Sequence, residues 1–342
     1  MSAYSIGIIG TGAIISSHVE ALRSVPGYKV IAACDIVRKN AEKVAIEFDG
    51  CKVYTDYQQL LQLQPDVVLV ALPHNLHCRI SCDALRAGCH VVVEKPMATS
   101  AAECREMLET ANENGRILYV SDSASYGKGQ LLTGKKFQEG LLGRYFTGCV
   151  IGNRTYDLRN RPAWGLSVKG SGGGMFANVG VHRLAIARAC IPGLVPRTVS
   201  GWVSRLPQHE IEACTSAIVK YDGGGAMHYE NTGYFGAAPF GKTMHFIFEE
   251  GIVAWEDRKW MIYNEGTGGL HEETLEPVEP VYVPFYRHFT RILEGDSDYR
   301  PKVYEYAVDT ALAHAIYASS RAGNEINVLE PPWDLTDLQY LR

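Results

Sequence analysis

No stretch of the 342 residues offers the ~18 consecutive uncharged apolar side chains that a membrane-spanning helix requires. A basic surplus is also missing. Lys and Arg total 33 against 38 Asp and Glu, a formal net charge of −5. Nonspecific nucleic-acid binding needs the opposite field, so neither a nucleic-acid nor a membrane partner is expected. Repeats, low-complexity tracts and long charge runs are absent. With 46% apolar and 21% charged residues, the composition is that of a globular protein with a full core. The first residues carry no basic region and no small-residue cleavage site after an apolar core, which sets the expectation of a cytoplasmic protein. Regular cysteine spacing is lacking as well. Cys34, Cys51, Cys78, Cys82, Cys89, Cys104, Cys149, Cys190 and Cys214 are odd in number and scattered through apolar runs, as reduced buried thiols are. Cys78 and Cys82, with His74 and His77 nearby, are the one local grouping that suggests a metal. No second CxxC or HxxxH follows, so no metal is expected.

What is present is organisation. Single cores stop growing at around 250–300 residues, so two domains are the default. Residues 1–122 alternate strand and helix signals: apolar runs at 6–9, 29–34, 67–72, 90–93 and 117–120, with helical periodicity after Gly10 and at 38–48, 76–87 and 99–114. Gly88 is a usual helix stop, and Thr99 or Ser100 is placed to cap the helix that follows. Repeated β-α-β with continuous apolar strands predicts an α/β domain with a doubly wound parallel sheet. From residue 123 to 342 the texture changes. Glycine-rich turns separate strand-like runs at 145–151, 197–205, 213–221, 225–231, 243–249, 251–256 and 259–263. Helical stretches stand at 176–190, 282–294 and 303–322. This predicts an α+β domain with an antiparallel sheet. The last helix is a candidate to pack back on the first domain, and the proline-bearing tail after 323 is expected to be irregular.

Three clusters in the first half carry chemistry. Gly10-Thr11-Gly12-Ala13-Ile14-Ile15 lies between the first strand and the first helix. One glycine permits a tight turn and a second lets backbone approach a pyrophosphate at a helix N-terminus, although Ile15 replaces the usual third small residue. Asp35 ends the second strand near the ~20-residue offset at which a carboxylate accepts ribose hydroxyls, and an anion there repels a 2′-phosphate. Arg38 is able to receive such a phosphate; on the Asp rule NAD is favoured, with NADP not excluded. Asp35 can equally cap the helix beginning near Val37. Leu72-Pro73-His74-Asn75-Leu76-His77 and Glu94-Lys95-Pro96 leave the carboxyl ends of strands, the edge at which open α/β sheets bind ligands. Lys95 is thus a fixed ammonium at that edge, able to donate to a reacting oxygen.

Gly10-Thr11-Gly12, Asp35, Pro73-His74-Asn75-Leu76-His77, Ala87-Gly88-Cys89-His90-Val91 and Glu94-Lys95-Pro96, followed by Gly172-Gly173-Gly174-Met175-Phe176-Ala177-Asn178-Val179-Gly180-Val181-His182, together resemble the glucose–fructose oxidoreductase / inositol dehydrogenase / rhizopine-catabolism (Gfo/Idh/MocA) family. The similarity runs over roughly residues 4–322. It implies a Rossmann domain followed by a domain with an open, mostly antiparallel sheet. It also implies that Gly10, Thr11, Gly12, Ala13, Ile14, Asp35, Arg38, Leu72, Pro73, Asn75, His77, Glu94 and Lys95 serve the cofactor. Lys95 would bond the reacting oxygen and His182 would transfer the proton. Many members carry an aspartate where this chain has Asn178. An asparagine takes no proton, so acid/base work is expected to fall on His182 with Lys95 assisting.

The substrate end rests on Arg154, Tyr156, Asp157, Arg159, Arg161 and Trp164, a polar and aromatic cluster suited to a polyol, with Arg154 or Arg161 able to anchor an anion. The same cluster is also what a solvated loop would contain. Tyr126 and Asn178 are further candidates, with His228, Tyr229 and Asn231 behind them. The expected activity is NAD(P)-dependent oxidation of a secondary alcohol of a sugar, sugar acid or cyclitol (or the reverse reduction), in the cleft between domains. Alternatives are an NAD-dependent glycoside hydrolase working by transient oxidation and a nonenzymatic dinucleotide sensor. A large apolar sheet with one face left for other use predicts a homodimer or homotetramer.

Overall fold

The computed structural model describes residues 3–153, 157–205, 208–233, 243–256, 259–264, 268–275, 279–296 and 303–335. They fall into two compact units. One holds the described residues up to Ser123 and those from Glu279 to Ala307; the other holds those from Ala124 and again from Val308 onward.

The first unit runs β1 (Tyr4–Ile9), α1 (Ile15–Ser24), β2 (Tyr28–Cys34), α2 (Arg38–Ala45), β3 (Lys52–Tyr54), α3 (Tyr57–Leu61), β4 (Val67–Val70), α4 (His77–Arg86), β5 (His90–Glu94), α5 (Ala101–Glu113) and β6 (Leu118–Ser121). The sheet is parallel throughout, in the order β3-β2-β1-β4-β5-β6. β4 is buried at every position, as a strand covered on both faces must be. α4 ends at Gly88, whose φ of 88° is left-handed. α5 is capped by Ser100, which accepts from Glu103 N–H at 3.2 Å, while the Glu103 carboxylate reaches back to Thr99 N–H at 2.8 Å.

The second unit contains α6 (Lys128–Gln138), β7 (Tyr145–Asn153), α7 (Val168–Ser171), α8 (Val181–Cys190), β8 (Pro196–Arg205), β9 (Glu212–Tyr221), β10 (Ala226–Thr232), β11 (Thr243–Phe248), β12 (Gly251–Glu256), β13 (Lys259–Asn264) and β14 (Gly269–Thr274). The chain continues with α9 (Val283–Leu293), α10 (Val303–Ala322) and β15 (Ile326–Asn327). The sheet order is β14-β13-β12-β11-β7-β10-β9-β8-β15. β7 and β10 pair in parallel, and the other pairs are antiparallel. One face is the core: Val199, Val219, Tyr229, Phe246, Val253 and Trp260 pack with Leu184 of α8 and Ile316 of α10. On the alternate positions Trp202, Ile218, Ile252, Tyr263 and Leu270 are exposed.

Three expectations need correcting. The helix at 282–294 belongs to the first unit, not the second. Phe285 and Phe289 of α9 stack near Tyr119 of β6, and Tyr28 donates to the Tyr286 carbonyl at 3.1 Å. α10 is divided, Val303–Ala307 lying with the first unit and the remainder with the second. The tail after 323 is not wholly irregular, because β15 pairs with β8. All nine cysteines are free thiols. Among the described residues no helix is long and apolar enough to cross a membrane.

Candidate functional site

In the first unit the sequence-predicted residues gather at the carboxyl edge of the parallel sheet. β1 lies between β2 and β4, so the reversal of strand order falls beside Gly10. Gly10 has φ 91°, and a Cβ there would stand 2.2 Å from the Ala71 carbonyl oxygen; only glycine fits. Gly12 is the opposite case, with nothing within 4 Å of where its Cβ would be. Gly12, Ala13 and Ile14 are exposed, and no side chain caps α1. An exposed backbone turn running into an uncapped helix fits the pyrophosphate of a dinucleotide. A groove of about 940 Å³ opens at Thr11, Gly12 and Ala13 and continues between α1 and α2 as far as Arg23 and Glu47.

Asp35 combines two tasks. Its Oδ2 accepts from Thr11 N–H and Thr11 Oγ1, both at 2.9 Å, and its Oδ1 accepts from Val37 N–H at 2.8 Å. The carboxylate thereby ties the glycine turn to the start of α2. Arg38 is exposed and pairs with Glu42 at 2.9 Å. Leu72 and Pro73 are half-buried and Asn75 is exposed at the end of β4.

His77 and Glu94 lie elsewhere than expected. His77 is fully buried, its ring nitrogens 2.9 Å from the Pro96 and Leu72 carbonyl oxygens, so it braces two loops instead of facing a ligand. Burial pushes its pKa down, against those two bonds. Glu94 is 5% exposed. Its Oε1 accepts from His18 Nε2 at 2.9 Å, from Ser121 Oγ at 2.7 Å and from Tyr282 OH at 2.7 Å. His18 stacks on Tyr282, and its Nδ1 lies 2.8 Å from Tyr286 OH, accepting that proton when Nε2 carries the ring hydrogen. Burial alone would raise the Glu94 pKa. The hydrogen bond and charge of His18, then Lys95 and Ser121, overcome it and push the carboxyl down to about 2. Glu94 is therefore an internal anion that fixes the strand end from which half-buried Lys95 emerges.

In the second unit Asn178 lies in a π-turn, Phe176–Gly180, and half-buried His182 in the first turn of α8. With its amide oriented oxygen toward the guanidinium, Asn178 accepts from Arg161 Nη2 at 2.7 Å and from Nη1 at 3.3 Å. Trp164 is half-buried in a short turn, Ala163–Leu166, and Tyr126 is half-buried ahead of α6. Arg154 and Tyr156 lie outside the described residues. Arg159 is an exposed partner of Asp157 at 2.8 Å, which holds the Asp157 carboxyl below its ordinary range; for this pair the solvated-loop alternative holds. His228 is 3.0 Å from Ser216 on the sheet's outer face, and Tyr229 is core, 2.6 Å from Tyr221 OH. Asn231 is fully buried opposite Thr215, and neither the Asn231 amide nor the Thr215 hydroxyl has a partner among the described residues.

Family models match both units: one described as an oxidoreductase family with an NAD-binding Rossmann fold over residues 4–122, and one described as the GFO/IDH/MocA C-terminal domain over residues 135–254. The chain belongs to the Gfo/Idh/MocA family. D-glucoside 3-dehydrogenase of Escherichia coli strain K12 is 29% identical over 190 residues, 54% of this chain and 53% of that protein. Inositol 2-dehydrogenase of Salmonella typhimurium strain LT2 is 34% identical over 165 residues, 46% of this chain and 47% of that protein. The chain thus spans about half the length of these curated relatives. A solved NAD binding oxidoreductase from Klebsiella pneumoniae shares the fold, with TM-score 0.86 at 21% identity over 96% of this chain and 100% of that one.

Within this Gfo/Idh/MocA chain, sequence reasoning missed His18, Tyr282 and Tyr286 around Glu94, and Glu212 and Tyr317 behind Asn178. A histidine at the fourth helical position after the glycine turn was a local sign for the first group; the others carried none. The metal question also changes form. Cys78, Cys82 and Glu106, not His74 or His77, bring their ligand atoms within 4.8 Å of one another. Glu106 is exposed and also lies 3.8 Å from Arg86.

Proposed function

We propose that the protein is an NAD-dependent dehydrogenase of a secondary alcohol in a sugar, sugar acid or cyclitol. The observation that carries this reading is the retention, in a chain of this family, of Lys95 at the carboxyl end of β5 together with His182 at the start of α8. Bound NAD supplies the hydride acceptor. Lys95 donates to the reacting oxygen and stabilises its developing negative charge. His182 takes the hydroxyl proton during oxidation and returns it during reduction. Asn178, which cannot exchange a proton, orients through its bond to Arg161. The partnerless buried polar groups of Asn231 and Thr215 support a ligand or water rich in hydroxyls on that side of the second unit. Nine free thiols suit a reducing compartment, here the cytoplasm.

Nicotinamide absorbance across a panel of inositols, glucosides and uronic acids, with NAD and NADP in parallel, tests the activity. NADH formed in step with ketone supports it. Glycoside cleavage without NADH accumulation replaces it with the hydrolase, and no turnover of any panel compound removes it. Arg161→Ala should raise KM about 10-fold or more for a uronic acid and much less for its neutral counterpart, the loss of a charge-assisted pair. Equal changes for the two sugars would remove the anionic anchor.

The outer sheet face is the proposed self-association surface. Trp202, Ile218, Ile252, Tyr263 and Leu270 expose large apolar area on one side of a nine-stranded sheet. Light scattering should give a dimeric or tetrameric mass, and a Trp202→Asp, Leu270→Asp variant should lower it. A monomeric wild type refutes the association.

A further inference from the structure

Glu212, the first residue of β9, is 3% exposed. Its Oε1 accepts from Phe176 N–H at 2.7 Å and from Tyr317 OH at 2.8 Å, and its Oε2 accepts from Gly174 N–H at 2.6 Å. The Tyr317 hydroxyl in turn accepts from Ala177 N–H at 2.8 Å. The backbone donors of residues 174, 176 and 177 therefore end on one acid–phenol pair. These are the residues that lead into Asn178 and His182.

The glycine run has its explanation here. A Cβ on Gly173 would stand 2.5 Å from the Tyr317 hydroxyl oxygen. A Cβ on Gly174 would stand 2.3 Å from the Glu212 carbonyl oxygen and 2.5 Å from its carboxylate. Gly172 precedes them with φ 76°. The glycines are the imprint of the pair pressing on the backbone. The segment they introduce is a π-turn, a conformation that recurs at functional sites and that surrounding contacts must maintain. Apolar packing alone does not maintain it: Met175 and Val179 sit with Ile211 and Ala213 in a small cluster separate from the main core. Tyr317 stays a donor because burial, with the neighbouring Glu212 charge, drives its pKa well above the ordinary phenol value. Burial raises the Glu212 pKa too, and the bonds from Phe176 and Tyr317 oppose that rise.

We propose that Glu212 and Tyr317 are positioning residues, a buried clamp that holds the π-turn so that Asn178 and His182 present to the substrate. This rests on the acid/base role given to His182 above. The two residues touch no reacting atom; they act through the backbone they hold.

The test uses full-length Glu212→Gln, Tyr317→Phe and His182→Ala. Glu212→Gln replaces one accepting oxygen by an amide donor, and Tyr317→Phe removes only the shared hydroxyl. Hydrogen–deuterium exchange reads the 172–182 segment directly, and NADH fluorescence reads cofactor binding. Turnover is measured with whichever inositol, glucoside or uronic acid the panel identifies. In both clamp variants exchange should quicken within 174–178 and kcat fall about 10-fold or more, with KM and NADH affinity within about twofold. His182→Ala should lose turnover with wild-type exchange. Wild-type exchange in the clamp variants, or wild-type kcat, overturns the clamp. So does a kcat loss that only follows a general loss of protection across the second unit. Full activity in His182→Ala instead removes the acid/base reading, and with it the purpose of the clamp, whatever the exchange data show.

Discussion

Lys95→Ala and His182→Ala should each lower kcat by about 10²–10⁴-fold, the range in which positioned proton-transfer and charge-stabilising groups contribute. His182→Ala should bind NADH as the wild type does, since it removes no group near the glycine turn. The double variant is the sharper experiment. Two groups serving one oxygen act as a unit, so removing both should cost little more than removing the more important one. Losses that multiply would assign Lys95 and His182 to separate tasks, and a loss below about tenfold in either single variant would take that residue out of the chemistry.

Glu94→Ala should destabilise the first unit by about 3–5 kcal/mol in denaturant unfolding, the usual cost of breaking a buried charge network from one side. The variant strands His18 and leaves the hydroxyls of Ser121 and Tyr282 without their common acceptor. Glu94→Gln should cost less, because an amide oxygen still accepts. The pH dependence has a definite sign. With the folded carboxyl held at about 2 against an ordinary 4.5, the contribution of Glu94 is fully present above 4.5 and is lost as pH falls toward about 2. A depression of that size corresponds to roughly 3 kcal/mol. The stability gap between wild type and Glu94→Gln should therefore narrow across that window; a gap that stays constant would show that the charge of Glu94 is not what the network holds. Because Lys95 is the next residue, Glu94→Gln should also reduce turnover.

The legible parts of the fold are those whose signal is local. β1, β4 and β5 are short apolar runs ending at turn residues, and their ends carry the glycine turn and Lys95 within a few positions of the strand itself. β3 and α3 went unread because three and five residues are too short for a periodicity. α6 went unread for a different reason: Gly129 and Gly134 argue against a helix. Yet a Cβ on Gly134 would stand 2.1 Å from the Ala189 carbonyl oxygen, so the glycine is there to let α6 lie close to α8. β14 is mostly exposed and shows no alternation. At the site, Lys95, Asn178 and His182 stand in motifs, whereas Tyr282 is 188 residues from the Glu94 it bonds and Tyr317 is 105 from Glu212. Nothing local in a sequence records which distant phenol completes a buried carboxylate. The same limit explains His77 and Glu94, read as cofactor ligands because their neighbours in sequence are.

α9 gives the nucleotide unit an unusual timetable. The ribosome releases every strand of the parallel sheet early, but Phe285, Tyr286 and Phe289, which are fully buried against Tyr119 and Tyr28, emerge only after the whole antiparallel sheet has been made. Until then β6 and the buried Glu94 lack their cover, and a nascent chain halted at Ser123 would present a greasy, half-built surface to chaperones. A gene fragment ending there is for the same reason a poor choice for isolating the dinucleotide module; a fusion that splices 279–307 after it through a short linker restores the missing wall.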